Sequence, residues 1–212
     1  MTTKITASLV AAATIALAPM AHANAELELI SGATTVSVTA ANVGSAYVYS
    51  GSVGGWSLSV STGTFLGASG LDINSVSTSG GTSSPLEILW SSSFASPVSG
   101  NYLATVGGTL NGGLTVAFSS YVGSTILSTG TQLTPTITFS TSPYSGSSSG
   151  TASPSATYLT EEALISNGQT SGAQASFDFS VNAVPDGGMT LALLGGSMAG
   201  LTLIRSKINK RK

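Results

Sequence analysis

The chain has no cysteine in its 212 residues. That excludes a disulfide framework, a thiolate nucleophile and thiolate metal ligation. It does not argue against export, because a body of about 160 residues can bury a core without covalent staples. A second absence is more restrictive. Between Asn24 and Val184 there is no Lys, Arg, His or Met either. Without His or Lys, no Ser-His-Asp, Cys-His or Ser-Lys arrangement can be assembled there. A His/Cys zinc site fails on the same ground. No cation is present to hold an oxyanion or a phosphate. The paired glycines at Gly107-Gly108 and Gly112-Gly113 lack a Walker lysine and follow strand patterns, so they read as turns. Nucleic acid is excluded as a partner, since neutralising phosphates requires a basic footprint.

The charges that do occur are sharply segregated. All six basic residues lie at the ends: Lys4, then Arg205, Lys207, Lys210, Arg211 and Lys212; the single histidine is His22. The body carries Glu26, Glu28, Asp72, Glu87, Glu161, Glu162 and Asp178, a charge of −7. It also holds every one of the 2 Trp, 6 Tyr and 6 Phe. Few charges, abundant Ser, Thr and Gly, and many aromatics indicate a folded β-rich domain, because disordered tracts carry more charge and fewer aromatics.

The N-terminus, MTTKITASLVAAATIALAPMAHANAELEL, has the three parts of a secretory signal peptide. Lys4 is the positive region, residues 5–17 are apolar, and Ala21-His22-Ala23 meets the small-x-small cleavage rule. The expected cut follows Ala23, with Ala25 as the second choice. Thirteen apolar residues fall short of the ~20 needed to span a bilayer. Residues 1–23 are therefore expected to direct export through the Sec machinery.

The C-terminus, VPDGGMTLALLGGSMAGLTLIRSKINKRK, is different. Residues 189–204 carry no charge. As a helix they would reach about 24 Å, against about 30 Å of hydrocarbon, a deficit that snorkelling of Arg205 and Lys207 relieves. The basic cluster Arg205, Lys207, Lys210, Arg211 and Lys212 would stop transfer and stay cytoplasmic, leaving the body outside. Gly196-x-x-x-Gly200 reads as dilution of a short, weakly hydrophobic span more than as a helix-pairing motif. An anchor needs no particular residues before it. Here Pro185 fixes its own φ and biases Val184 towards extension, while Asp186, Gly187 and Gly188 favour a turn.

Val184-Pro185-Asp186-Gly187-Gly188, a short Gly/Ala/Leu-rich apolar run and a basic terminus, in that order, resemble the PEP-CTERM class of sorting signals in its Val-Pro-Asp-Ser/Gly-Gly variant. The resemblance covers residues 184–212. It implies recognition by an exosortase, an integral-membrane enzyme with a cysteine-protease-like site, processing near Val184-Pro185-Asp186, and passage through the inner membrane to the cell surface or extracellular polysaccharide of a Gram-negative bacterium.

Residues 24–183 read as strands throughout. Trp56–Val60, Leu114–Phe118, Thr136–Phe139 and Phe177–Val181 alternate apolar with small or polar residues, the period of a strand with one buried face. Further strands are expected at 27–30, 35–39, 46–49, 71–77, 86–91, 102–106 and 157–165. Turn signals every 8–15 residues then predict an all-β fold, an antiparallel β-sandwich of jelly-roll-like order, flanked by a signal helix and a single C-terminal transmembrane helix. Thr141–Thr157, TSPYSGSSSGTASPSAT, is expected to be a long mobile loop. The body also resembles domains found ahead of such sorting signals, through the Trp56 strand, Leu71-Asp72-Ile73-Asn74, Leu86-Glu87-Ile88-Leu89, Val106-Gly107-Gly108-Thr109, Tyr158-Leu159-Thr160-Glu161-Glu162 and Phe177-Asp178-Phe179. That likeness implies a fold and no activity.

One enzyme class survives the absences, because glycoside hydrolysis needs only two carboxylates. The candidates are Asp72, Glu87, Glu161, Glu162 and Asp178. Glu87 and Asp178 alternate with core residues and are expected on solvent-facing sides, and Glu161-Glu162 is expected to end a strand as a solvated pair. Asp72-x-Asn74 and Glu26-x-Glu28 offer too few oxygens for calcium. No catalytic residue, cofactor or metal site is expected. The expected function is that of a non-enzymatic exported surface or matrix protein, associated with exopolysaccharide. The alternative is a carbohydrate-binding module, or a weak glycan-active enzyme, in which Trp56 and Trp90 are the aromatics to test.

Overall fold

The computed structural model describes residues 25–40, 48–61, 70–80, 84–166 and 172–184. All regular structure in these residues is strand: β1 Ala25–Ser31, β2 Thr34–Ala40, β3 Val48–Val53, β4 Trp56–Ser61, β5 Gly70–Gly80, β6 Leu86–Leu110, β7 Thr115–Gly123, β8 Thr131–Phe139, β9 Tyr144–Ser166 and β10 Ala173–Ala183. The all-β, antiparallel expectation holds. No helix among the described residues is long and apolar enough to cross a membrane. The expected signal peptide with Ala21 and Ala23, and the expected spanning helix, lie outside the described residues.

Alternation builds each strand. In β10, Ala173, Ala175, Phe177, Phe179 and Val181 are buried while Gln174, Ser176 and Asp178 are exposed. β1 and β2 are joined by the two-residue turn Gly32-Ala33, with Gly32 at φ +60°. A glycine at the first central position is what a type II′ hairpin requires, and its twist matches that of the strands.

The strands form one continuous sheet that curls over a single core. β6 and β9 run through both halves of it. Their first contact zone, Leu86–Ser93 against Tyr158–Ile165, joins β1 and β2 on one side and β7 and β8 on the other. Their second zone, Gly100–Gly108 against Tyr144–Ala152, continues into β10, β5, β4 and β3. Register breaks between Ser93 and Gly100 mark where the sheet turns. The two halves then face each other, as the Phe118 cluster shows. From β7, the Phe118 ring lies 4.9 Å from Phe177 and 5.3 Å from Phe179 of β10. Phe139 and Tyr144 stack beside it at 4.5 Å.

Two expectations are corrected. The expected strands at 86–91 and 102–106 are parts of one 25-residue strand, β6. Thr141–Thr157 is not a mobile loop: from Tyr144 onward it is the first part of β9, paired with β6. Its small residues are required there. Gly146 lies under the Phe139 ring, where a Cβ would come within 2.9 Å, and a Cβ on Gly150 would overlap the Leu133 carbonyl. Low complexity in this stretch is the imprint of β8 packed closely over β9.

Candidate functional site

Three places carry the polar chemistry of the described body: the outer carboxylates, a buried glutamate and a neutral cleft. The outer group is set by register. Glu28 and Glu162 both pair with Leu89, and Glu87 pairs with Ile30 and Leu164, so the three carboxylates surround Leu89 on one face. Glu162 accepts the Tyr121 hydroxyl at 2.7 Å, and Glu28 accepts that of Ser37 at 3.4 Å. Partial burial raises Glu87 above the usual carboxylate range, helped by the neighbouring charges of Glu162 and Glu28. Partial burial, followed by the bond to Glu162, also raises the Tyr121 phenol.

Glu161 behaves differently. It is fully buried, in a cross-strand row with Trp90 on β6 and Ser120 on β7. The expected solvated pair at a strand end is therefore wrong. β9 continues to Ser166, and consecutive strand residues point to opposite faces, so Glu161 enters the core while Glu162 stays outside. The sequence did hold the signal. Leu159, Glu161, Ala163 and Ile165 share one phase of the alternation, and all four are buried. Neither Glu161 oxygen has a hydrogen-bond partner among the described residues. Burial, and then the charge of Asp72, push its pKa well above the carboxylate range. The Val181 backbone amide opposes the rise, without reaching hydrogen-bonding geometry. Burial thus favours the protonated form of Glu161 over the carboxylate.

The other nominated acids are dispersed. Asp178 is exposed on β10 and Asp72 is half-buried on β5, whereas Glu26 and Glu28 share the outer face of β1. The side chain of Asn74 is outside the described residues. No group of three or more His, Cys, Asp or Glu able to hold a metal occurs among the described residues. The two tryptophans are core. Trp56 is 1 % and Trp90 2 % exposed, and the Trp56 indole N–H donates to the Ser84 carbonyl at 3.0 Å.

A cleft of about 460 Å³ opens between the end of β7, the start of β8 and the middle of β9, lined by Ser128, Thr131, Gln132, Thr151 and Ser153 among others. A second, of about 300 Å³, lies by Asn111, Ser142 and Gln174. Hydroxyls and amides line both, and no carboxylate does. Sequence reading missed these sites because their walls come from segments distant in the chain.

Of the expected sorting motif, Val184 is described. It is 44 % exposed, and its amide donates to the Asn101 carbonyl at 2.7 Å, one step beyond the end of β10. Pro185, Asp186, Gly187 and Gly188, and the basic cluster Arg205, Lys207, Lys210, Arg211 and Lys212, lie outside the described residues.

No family model matches the chain, and no curated protein sequence matches it. Among solved structures, it is similar to the carbohydrate-binding module TmCBM61 in complex with β-1,4-galactotriose. The identity is 8 %, the TM-score is 0.35, and the match covers 61 % of this chain and 88 % of that one. It is also similar to the enzymatically active domain of tailspike protein 4 from bacteriophage CBA120, with 15 % identity, a TM-score of 0.35, and coverage of 61 % of this chain and 19 % of that one. These are distant likenesses of sheet shape, and the functional reading rests on the chain's own residues.

Proposed function

We propose that the chain is the precursor of a non-enzymatic surface or extracellular-matrix domain. In this reading a signal peptide exports it, residues 189–204 hold it in the inner membrane, and an exosortase processes it near Val184-Pro185-Asp186. The jelly-roll-like body is then delivered to the cell surface or its exopolysaccharide. The supporting observation is the position of Val184. The described sheet ladder ends with the Val184–Asn101 hydrogen bond, and Val184 is exposed, so the five-residue motif begins at the last described rung of the sheet. No carboxylate lines either cleft, and the acids that do meet, Glu28, Glu87 and Glu162, surround Leu89 on the outer face. Mass spectrometry of surface material tests the reading. A C-terminus at or near residues 184–188 is expected; an intact terminus carrying Arg205–Lys212 in surface material would refute processing.

A second reading, binding of a neutral glycan, is favoured by one observation: the larger cleft sets uncharged hydrogen-bonding side chains, Gln132 among them, beside apolar Val122 and Ala156, with no charged group in its lining. Trp56 and Trp90 cannot test it, since truncating either removes core. A glycan array with Gln132→Leu and wild type does so. Loss of a binding signal in the variant supports this reading, and an empty array with wild type rejects it.

A further inference from the structure

We infer that Asn111-Gly112, in the turn from β6 to β7, is a self-modifying site. Its amide is lost without an enzyme, and the resulting acid charges the wall of the smaller cleft. The inference does not rest on the sorting reading. Asparagine loses its amide when the backbone nitrogen of the next residue closes on the side-chain carbonyl. Three things favour that closure: a following residue with no side chain in the way, access to water, and a polarised carbonyl. Among the described residues, Asn111 is the only asparagine followed by glycine. Asn111, Gly112 and Gly113 are all exposed. Gly112 and Gly113 have φ of +69° and +74°, left-handed values that glycine adopts without a Cβ penalty.

The fold supplies the polarised carbonyl. The Asn111 side-chain oxygen accepts the Gln174 backbone N–H at 2.8 Å. The Asn111 backbone amide in turn donates to the Gln174 carbonyl at 2.9 Å, which ties the residue to β10 from both sides of Gln174. As the ring closes, negative charge gathers on that same side-chain oxygen. A backbone donor already waiting at about 2.7–3.1 Å is the arrangement that stabilises such an oxyanion. Gln174 is itself held in the sheet, opposite Ser79 of β5, so the donor is in place before the reaction starts.

The step balances with water as the one co-reactant. The Gly112 nitrogen bonds to Asn111 Cγ, the Cγ–Nδ2 bond breaks, and ammonia leaves with the proton that the Gly112 amide gives up. Water then opens the cyclic imide. Opening at Cγ leaves aspartate. Opening at the main-chain carbonyl leaves isoaspartate, whose backbone runs through Cβ and Cγ and is one atom longer. Either product sets a carboxylate beside Ser142 and Gln174, in a wall otherwise built of uncharged groups. Isoaspartate does more. Leu110 and Leu114 flank the turn and are both buried, so the longer backbone must bulge between two fixed anchors.

Mass spectrometry of the full chain, held folded at neutral pH and then digested with chymotrypsin, tests the inference; trypsin has no site in the body. Asn101 and Asn182 are internal references, since they lie within β6 and β10 and precede Tyr102 and Ala183. Asn111 should convert at least tenfold faster than either, to a mixture of aspartate and isoaspartate. It should also convert faster in the folded chain than in urea, where the Gln174 donor is lost. Gln174→Pro removes that N–H, and should bring the rate at Asn111 down to the urea rate while circular dichroism remains that of wild type. Should that variant fail to fold, the comparison of wild type with and without urea decides alone. Conversion at Asn111 no faster than at Asn101 and Asn182, conversion slower in the folded chain than in urea, or an unchanged rate in folded Gln174→Pro would each overturn the inference.

Discussion

Glu161 and Glu162 are consecutive in β9, yet their carboxyl groups lie on opposite sides of the sheet. Glu161 is fully buried in the row between Trp90 and Ser120, without a hydrogen-bond partner among the described residues, and Glu162 accepts the Tyr121 hydroxyl on the outer face. One strand thus holds a buried acid whose pKa is raised beside a hydrogen-bonded outer one. In an apolar setting the protonated form of Glu161 is the cheaper one, since an isolated buried carboxylate has no compensating charge or donor.

The sign of the resulting pH dependence follows. The folded-state pKa of Glu161 lies well above its unfolded value, so below about pH 4.5 both states hold the proton and the group exerts no pull. Above that, the unfolded chain releases the proton and the folded one keeps it. Stability then falls by about 1.4 kcal/mol per pH unit until the folded pKa is passed. Thermal melts from pH 5 to pH 8 should show a declining midpoint, with a much flatter profile for Glu161→Gln. Glu161→Leu should exceed wild type at pH 8 by about 1–3 kcal/mol, the scale of an unpaired buried polar group. A wild-type profile as flat as that of Glu161→Gln would mean that the carboxyl finds a partner.

The glycines of β9 offer a second test. A Cβ on Gly150 overlaps the Leu133 carbonyl, which belongs to the backbone and cannot swing aside. Gly150→Ala should cost about 1–3 kcal/mol, the usual penalty of overpacking, and Ser149→Ala, at an exposed position one residue away, should stay within about 0.5 kcal/mol of wild type. Urea midpoints separate the two. Equal midpoints would show that β8 does not press on β9 there.

What the sequence revealed, and what it hid, divides along the same line. Period-two alternation was legible wherever large residues filled the inward phase, as in β4, β7 and β10. It failed in Thr141–Thr157 because there the inward phase is occupied by Gly146, Ser148, Gly150 and Ala152, small residues that make way for the neighbouring β8 and carry no hydropathy signal. Glu161 was misplaced for the opposite reason: its charge was weighed above its phase. The neutral cleft at Gln132 was not legible, since its walls come from β7, β8 and β9 and meet only through the fold. The outer grouping of Glu28, Glu87 and Glu162 likewise depends on register across three strands.

Phe118 is the aromatic on which the two halves of the sheet meet. Its ring touches Phe177 edge-on and lies within 6.3 Å of Phe139, Tyr144 and Phe179. Phe118→Ala should cost about 3–5 kcal/mol, enough to consume much of the stability of a domain this size. Phe139→Ala, at a half-buried position, should cost clearly less. Comparable losses at the two sites, read by denaturant titration, would place the junction of the halves elsewhere.

The body should also fold without the tail. Every buried apolar residue of the described core lies at or before Val181, and the last contact of the described sheet is the Val184 amide on the Asn101 carbonyl. A chain of residues 24–184 keeps that bond; one ending at Ala183 loses it. A single backbone hydrogen bond at an exposed position is worth about 0.5–1.5 kcal/mol. The two shortened chains should therefore both be cooperative folders, differing by no more than that, with urea transitions of equal slope. A molten or aggregating 24–184 chain would show that residues beyond Val184 belong to the domain, and the motif would then be part of the fold and unsuited to removal.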